Sequence, residues 1–146
     1  MNPRLSSETL HATTVAKDRR AVIISGRSGS GKSDLALRLL DRGFVLVSDD
    51  QTIVSKTGDR LIASAPATIK GKLEVRGVGI VEVESIDTAA ICLWVNLESE
   101  IERLPDDGQS WQFLGLRVPL VNIDALTASA PAKVAIALER LGLSAE

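Results

Sequence analysis

A glycine-rich run of eight residues constrains the fold of this chain more than any other part of its sequence. We call it the glycine loop, and it consists of Gly26, Arg27, Ser28, Gly29, Ser30, Gly31, Lys32 and Ser33. It satisfies the pattern G-x-x-x-x-G-K-[ST], with the β-branched run RAVIISG leading into it and the leucine-rich segment KSDLALRLLDRG leading out of it. These flanks predict a buried strand, then the loop, then a helix that stops near Gly43.

The residue types of the glycine loop are those that hold a phosphate group. Glycines let the backbone wrap tightly, so that N–H groups point at phosphate oxygens, and the following helix presents its positive terminus to the same anion. Lys32 is expected to bridge the β- and γ-phosphates of a nucleotide, and Ser33 to place its hydroxyl on Mg²⁺. We therefore expect a nucleotide and Mg²⁺ as ligands, with all eight loop residues in the nucleotide site. The alternative is a glycine-rich turn with an incidental lysine.

Two carboxylates follow the next apolar run. FVLVSDD, residues 44–50, predicts a second buried strand that ends at Asp49 and Asp50. Strands joined through a helix are parallel, so these acids are expected at the same sheet edge as the glycine loop. One acid can hold Mg²⁺, which makes Asp49 a candidate ligand, and the other can accept a proton from an attacking hydroxyl. The alternative is a pair of turn residues, and two acids in one dry site would repel without Mg²⁺ or a split of roles.

The rest of the chain predicts further strands and a final helix. Residues 51–64 indicate a hairpin that turns at Lys56–Asp59, and residues 65–83 end in an alternating strand. Apolar strands are expected within 89–98 and 111–123, and residues 129–142 are typical of a helix. Repeats and linkers are absent from the sequence. The expected fold is one α/β domain over residues 1–146, a P-loop-containing mixed sheet with flanking helices.

The glycine-rich segment LEVRGVGIVEV, residues 73–83, adds two candidate site residues. In an extended segment alternate residues share a face, which would put Glu74 and Arg76 on one side. Glu74 is a candidate metal ligand, and Arg76 a candidate phosphate contact or orienting partner. A surface Glu/Arg pair at a turn is the alternative. His11 is the only histidine, and on its own it indicates a structural or surface residue.

Composition excludes several classes of protein. The net charge is −2 and aromatic residues make up 3%, which argues against a nucleic-acid partner that needs a basic field or stacking platforms. The N-terminal residues lack the apolar core of a signal peptide, and no apolar run approaches the roughly 20 residues that span a bilayer. Cys92, the only cysteine, lies in an apolar run and is expected to be buried and inert. We expect a cytoplasmic protein without a membrane partner.

Three stretches together resemble a known family. GRSGSGKS, LALRLLDRGFVLVSDD and LEVRGVGIVEV are similar to the catalytic domain of HPr kinase/phosphorylase, the bacterial enzyme that phosphorylates a serine of the phosphocarrier protein HPr. His11 matches the histidine that the family carries upstream of its loop. The resemblance covers about residues 9 to 85 and is more specific than the glycine loop alone.

The resemblance implies roles for individual residues. Asp50 corresponds to the proton acceptor for the target serine, and Ser33 and Glu74 correspond to Mg²⁺ ligands, with Asp49 supporting the metal or its waters. His11 and Lys32 correspond to catalytic residues, and Arg76 belongs to the matching signature. The implied activity is ATP- and Mg²⁺-dependent phosphorylation of HPr, linked to the phosphotransferase system, in a hexameric assembly.

Departures from the family pattern leave two alternatives open. The family's Pro-x-x-Pro-Gly-Arg-Asn stretch has no clear counterpart here, so the reverse, phosphorylase reaction is not among our expectations. Only about ten residues precede the matching region, which predicts a minimal catalytic form without the family's N-terminal domain. The alternatives are a P-loop kinase of a small metabolite, and a nucleotide-sensing module without catalysis that signals through assembly.

Overall fold

A computed structural model describes residues 6–105 and 108–146 of the protein. The strands found there are β1 (Ser7–Leu10), β2 (Ala12–Lys17), β3 (Arg20–Ser25), β4 (Val45–Ser48), β5 (Thr52–Thr57), β6 (Arg60–Ser64), β7 (Lys72–Val75), β8 (Gly79–Glu82), β9 (Thr88–Leu97), β10 (Ser110–Phe113) and β11 (Leu116–Ile123). The helices are α1 (Lys32–Leu40) and α2 (Ala130–Leu141). Neither of these helices is long and apolar enough to cross a bilayer.

The main sheet is mixed, as the sequence predicted, and nine of the described strands form it. Its main path is β1-β5-β6-β9-β3-β2-β4, and β11 pairs with β9 and carries β10 on its other edge. The long strand β9 has room for both neighbours because its first residues pair with β6 and its last residues pair with β11. Strands β3, β9 and β11 are parallel, so their carboxyl ends lie at one edge of the sheet, directly before the glycine loop.

The order of the central strands adds a feature that the sequence did not predict. β3 and β4 run in the same direction, as predicted, but they are not neighbours, because β2 lies between them and is antiparallel to both. The sequence did not predict β2, whose run ATTVAK is buried at Ala12–Ala16 and therefore lacks the alternation of a half-exposed strand. Its threonines Thr13 and Thr14 are fully buried because their hydroxyls have hydrogen-bond partners.

Both helices pack on one face of the sheet. Leu35 and Leu39 of α1 are fully buried in the same core as Val134 and Leu138 of α2, each such side chain contributing about 1.5–3 kcal/mol by its burial. α1 ends at Leu40, and Gly43 stops it shortly beyond that residue, as predicted, with a φ of 89°. The N–H groups of Gly43 and Phe44 donate to the carbonyls of Leu40 and Leu39, which satisfies the end of the helix.

The opposite face of the sheet has a second core. It centres on Trp94, which is 1% exposed and stacks on Trp111 of β10 with ring centroids 4.7 Å apart. The β5–β6 hairpin turns where the sequence predicted. β7 and β8 form a separate two-stranded sheet, and Leu73 of β7 joins the helix-side core. This contact brings the glycine-rich segment next to α1 and hence to the glycine loop.

Candidate active site

The glycine loop connects β3 to α1 in the conformation that the sequence predicted. Gly29 and Gly31 have φ values of 80° and 100°, a left-handed region that side chains disfavour. Gly31 is the N-cap of α1, and its carbonyl accepts the first helical hydrogen bond from Leu35 N–H at 2.9 Å. A Cβ at Gly26 would lie 2.6 Å from Ser30 Oγ and 3.0 Å from the Cβ of Leu97, so a side chain at this position would crowd the loop. The loop therefore directs its backbone and the positive end of α1 toward the same space.

Two polar groups of the loop fit a phosphate ligand. The ammonium of Lys32 donates to the carbonyls of Gly26 and Arg27 at 2.9 and 3.0 Å, which holds the positive charge over the loop backbone. Ser30 Oγ is buried without a hydrogen-bond partner among the described residues. A buried hydroxyl without a partner is unfavourable unless a ligand or water satisfies it. Together with the left-handed glycines, these groups suit a polyphosphate.

Asp49 joins four elements through one carboxylate. Its Oδ1 accepts hydrogen bonds from Ser33 Oγ at 2.6 Å and from Thr13 Oγ1 at 3.0 Å. Its Oδ2 accepts one from the backbone N–H of Glu74 at 3.0 Å. Asp49 is only 6% exposed, so these three donors stabilise a charge that would otherwise be costly to bury. The carboxylate is thereby fixed beside the Ser33 hydroxyl at the start of α1.

Asp50 faces a different environment from its neighbour. Its side chain is 67% exposed, and its Oδ1 lies 3.8 Å from Nδ1 of His11, whose side chain is 82% exposed. The backbone of Asp50 has a φ of 67°, and its N–H donates to Thr13 Oγ1 at 3.1 Å. The left-handed turn makes the two adjacent acids diverge, one into the protein and one into solvent. This geometry separates the charges of the two adjacent carboxylates, which reduces their mutual repulsion.

The glycine-rich segment reaches the site mainly through its backbone. Glu74 lies in β7 with an exposed side chain, and its backbone N–H donates to Asp49 Oδ2. Arg76 does not share an extended face with it, because β7 ends at Val75 and Arg76 lies in the exposed turn that follows. The expectation of a common strand face is therefore wrong for Arg76, where the turn before Gly77 interrupts the alternation.

Residues 4–140 match the family model described as the HPr Serine kinase C-terminal domain. The chain belongs to this family. The match continues through β9, β11 and almost all of α2, well beyond the region of about 9 to 85 in which the sequence motifs showed the resemblance. The whole described fold, rather than the loop region alone, is therefore that of the HPr kinase C-terminal domain.

Individual relatives agree with this assignment. The HPr kinase/phosphorylase of Caldicellulosiruptor bescii is 35% identical over 128 residues, which are 79% of this chain and 41% of the relative. That of Lachnoclostridium phytofermentans is 37% identical over 134 residues, 83% of this chain and 42% of the relative. This chain therefore spans less than half the length of these relatives. The structure of the Hpr(Ser) kinase/phosphatase from Coxiella burnetii superposes with a TM-score of 0.78 at 27% identity, covering 90% of this chain and 94% of that chain.

Within this HPr kinase-family domain, Thr13 is a site residue that the sequence did not reveal. Its hydroxyl donates to the Asp49 carboxylate and accepts from the Asp50 N–H, so one side chain sets the positions of both acids. Threonine is common in strands because of its β propensity, so a threonine in a strand does not by itself indicate a site residue. Its role depends on β2 lying beside β4, a pairing that cannot be inferred from the pattern of either strand.

The site also has the chemistry for a magnesium ion. Mg²⁺ is bound through one or two carboxylates together with substrate phosphates, and prefers oxygen ligands. The hydroxyl of Ser33 and the carboxylate of Asp49 meet these requirements at the end of the glycine loop. Among residues 6–105 and 108–146, no group of three or more His, Cys, Asp or Glu side chains is arranged to bind a metal ion by itself. The residues present thus fit a metal ion that is shared with a phosphate ligand.

A large cleft adjoins the site of this HPr kinase-family domain on the side away from Asp50. Its volume is about 880 Å³, within the range of roughly 300–1,000 Å³ that small-molecule sites occupy. It is lined by the last residues of β11, by the segment after β9 and by α2. No pattern in the sequence indicates this cleft, because its walls come together only when β11 pairs with β9.

Proposed function

We propose that this chain is a kinase domain that uses ATP and Mg²⁺ to phosphorylate a serine of an HPr-type phosphocarrier protein. The observation that carries the proposal is the divergence of Asp49 and Asp50. One carboxylate is buried on the Ser33 hydroxyl at the glycine loop, and its neighbour is exposed beside His11. A kinase needs such a pair, because one acid serves the phosphate donor and the other receives the proton of the acceptor.

On the donor side, the backbone N–H groups of the glycine loop and the N-terminus of α1 bind the phosphate oxygens. Lys32 neutralises the β- and γ-phosphates, a role that suits an ammonium held over the loop backbone. Ser33, Asp49 and Glu74 hold the metal. Mg²⁺, when bound, lowers the cost of the negative charge on the transferring phosphoryl group.

On the acceptor side, Asp50 takes the proton from the serine hydroxyl while the serine oxygen forms its bond to the γ-phosphorus. The bond between that phosphorus and the β–γ bridging oxygen breaks, and ADP is released. His11 orients the carboxylate or contacts the transferring group, since its ring lies 3.8 Å from Asp50. The 67% exposure of the Asp50 side chain suits an acceptor that is itself a folded protein.

The proposal is tested by incubating the protein with ATP, Mg²⁺ and HPr from the same organism. We expect one phosphate per HPr molecule, on a serine, and none on HPr whose target serine is replaced by alanine. Asp50→Asn should bind ATP with unchanged affinity and lose at least about a hundredfold in transfer rate, in line with the loss of a general base. Absence of phosphoserine with wild-type protein would overturn the proposal.

The small-metabolite alternative requires a roomy polar pocket beside Asp50. The cleft of about 880 Å³ lies on the other side of β3 and is lined by β11, α2 and the segment after β9, so it does not supply that pocket. The family resemblance further leads us to propose a hexamer acting in the cytoplasm. Light scattering of the purified protein measures the assembly, and a change of size with ATP but without transfer would favour the sensing module instead.

A further inference from the structure

The cleft beside the glycine loop begins where the loop itself ends. A Cβ at Gly26 would lie 3.0 Å from the Cβ of Leu97, and a Cβ at Gly31 would lie 3.3 Å from that of Ala125. Glu98, which follows Leu97, and Asp124, which precedes Ala125, both line the cleft. Both ends of the loop therefore contact residues that lead directly into the cleft walls, and a ligand that leaves the loop on this side enters the cleft.

Polar side chains connect the foot of the loop with the cleft. Ser25, Asn96 and Asn122 stand in register on the parallel strands β3, β9 and β11. Ser25 Oγ donates to Asn96 Oδ1 at 3.4 Å, and Asn96 Nδ2 donates to Asn122 Oδ1 at 3.0 Å. Asn122 Nδ2 donates to Gln109 Oε1 at 3.4 Å, and both of these residues line the cleft. Amide groups of this kind can donate to and accept from the polar edge of a ring or a hydroxyl.

The rest of the cleft combines apolar surface with an excess of negative charge. Ile101 and Ile136 line it and are 41% and 55% exposed, so a ligand can bury apolar area there. The charged side chains are four carboxylates and two cations: Glu98, Glu100, Glu102, Asp124, Arg103 and Lys133. This charge disfavours a second polyanion in the cleft, whereas a neutral ligand with a flat apolar body and polar edges fits.

The direction of the donor follows from the position of the metal ligands. The Ser33–Asp49 pair lies toward β2 and β4, whereas the cleft lies toward β9 and β11, with β3 and the glycine loop between them. The metal neutralises the terminal phosphates of a nucleotide, so the nucleoside extends away from it. We propose that the cleft binds the base and ribose of the nucleoside triphosphate, an inference that rests on the proposed use of the glycine loop for its phosphates.

The test compares ATP with inorganic tripolyphosphate, which has the phosphates and lacks the nucleoside. Isothermal titration calorimetry with Mg²⁺ is carried out on wild type, Ile136→Asn and Leu141→Asn. Leu141 is the matched control, since it lies on the same helix, is 54% exposed and does not line the cleft. We expect Ile136→Asn to weaken ATP binding about tenfold and to leave tripolyphosphate within about twofold, and Leu141→Asn to change neither.

Two results would overturn the inference. One is ATP binding to wild type no tighter than tripolyphosphate, and the other is an equal effect of Ile136→Asn on both ligands or on neither. If the variant does not fold, the methyl resonances of Ile101 and Ile136 in wild type decide, since ATP must shift them and tripolyphosphate must not. Nucleotide binding in the cleft without transfer to HPr would contradict the proposed function alone, and transfer with unperturbed isoleucines would contradict this inference alone.

Discussion

Ser33 Oγ donates a hydrogen bond of 2.6 Å to Asp49 Oδ1, and the same oxygen accepts a second hydrogen bond from the hydroxyl of Thr13. This contact ties the first turn of α1, and with it the glycine loop, to the end of β4. Because Asp49 is buried, movement of the loop away from it would leave the carboxylate with only the Thr13 hydroxyl and the Glu74 N–H as donors. The glycine loop and the carboxylate at the end of β4 are therefore held in contact by a partly buried hydrogen bond.

Replacement of Asp49 by asparagine is expected to damage both stability and transfer. The amide nitrogen of an asparagine cannot accept hydrogen bonds, so either the Glu74 N–H or the Ser33 and Thr13 hydroxyls lose their acceptor. We expect the free energy of unfolding to fall by about 1–3 kcal/mol and phosphoryl transfer to disappear. Urea denaturation and the HPr assay measure these effects. Asp59→Asn, in the exposed turn between β5 and β6, serves as the control and should change neither.

Thr13 is expected to act as a positioning residue. Thr13→Val keeps the shape of the side chain but removes the hydroxyl from both Asp49 and the Asp50 N–H. We expect kcat to fall about tenfold or more with little change in KM for ATP, because the acceptor-side acid loses its position. Thr13→Ser should restore most of the rate.

Thr14 supplies the matched control for this experiment. It lies next in β2, is equally buried, and its hydroxyl bonds the hydroxyl of Thr52 instead of a site carboxylate. Thr14→Val should cost a similar free energy of unfolding and leave kcat within about twofold. Equal losses of kcat in the two valine variants would show that Thr13 acts only through general stability.

Gly31→Ala should abolish binding of polyphosphate beyond its effect on folding. Gly31, the N-cap of α1, has a φ of 100°, and a Cβ added there would lie 3.3 Å from the Cβ of Ala125. Gly58→Ala, at a φ of 61° with open space around it, separates backbone strain from the site effect. Both variants should lose about 1–2 kcal/mol of stability. Calorimetry with tripolyphosphate should detect binding in the Gly58 variant and not in the Gly31 variant.

The thiol of Cys92 should be unreactive in the folded protein, as the sequence indicated. Burial raises the pKa of this thiol, and the guanidinium groups of Arg60 and Arg20 only partly oppose the effect. Because the pKa is raised, the thiol stays protonated at neutral pH. Its contribution to the free energy of unfolding is present below the ordinary thiol pKa and decreases as pH rises above that value. We expect an aromatic disulfide reagent at pH 8 to label native protein at least about a hundredfold more slowly than urea-unfolded protein. Similar rates would contradict the burial of Cys92.

Much of the fold follows from local patterns. The glycine loop, β3, α1 with its stop at Gly43, the β5–β6 hairpin and α2 were all predictable, because each depends on a periodicity or turn signal within a few residues. β1 and β2 were missed. β2 is buried on both faces and contains two threonines, so neither alternation nor an apolar run identifies it, and only its hydrogen-bonding partners across the sheet make its polar residues tolerable.

The residue types of the site were likewise present in the sequence, but their arrangement was not. GRSGSGKS, the paired acids and LEVRGVGIVEV were enough to indicate phosphate chemistry and the family, since these signals depend on spacing along the chain. The insertion of β2 between β3 and β4, the burial of Asp49 with Asp50 left in solvent, and the cleft between β11, α2 and the segment after β9 were decided by tertiary structure. Each of them results from strand pairing between segments distant in sequence, for which local patterns carry no information.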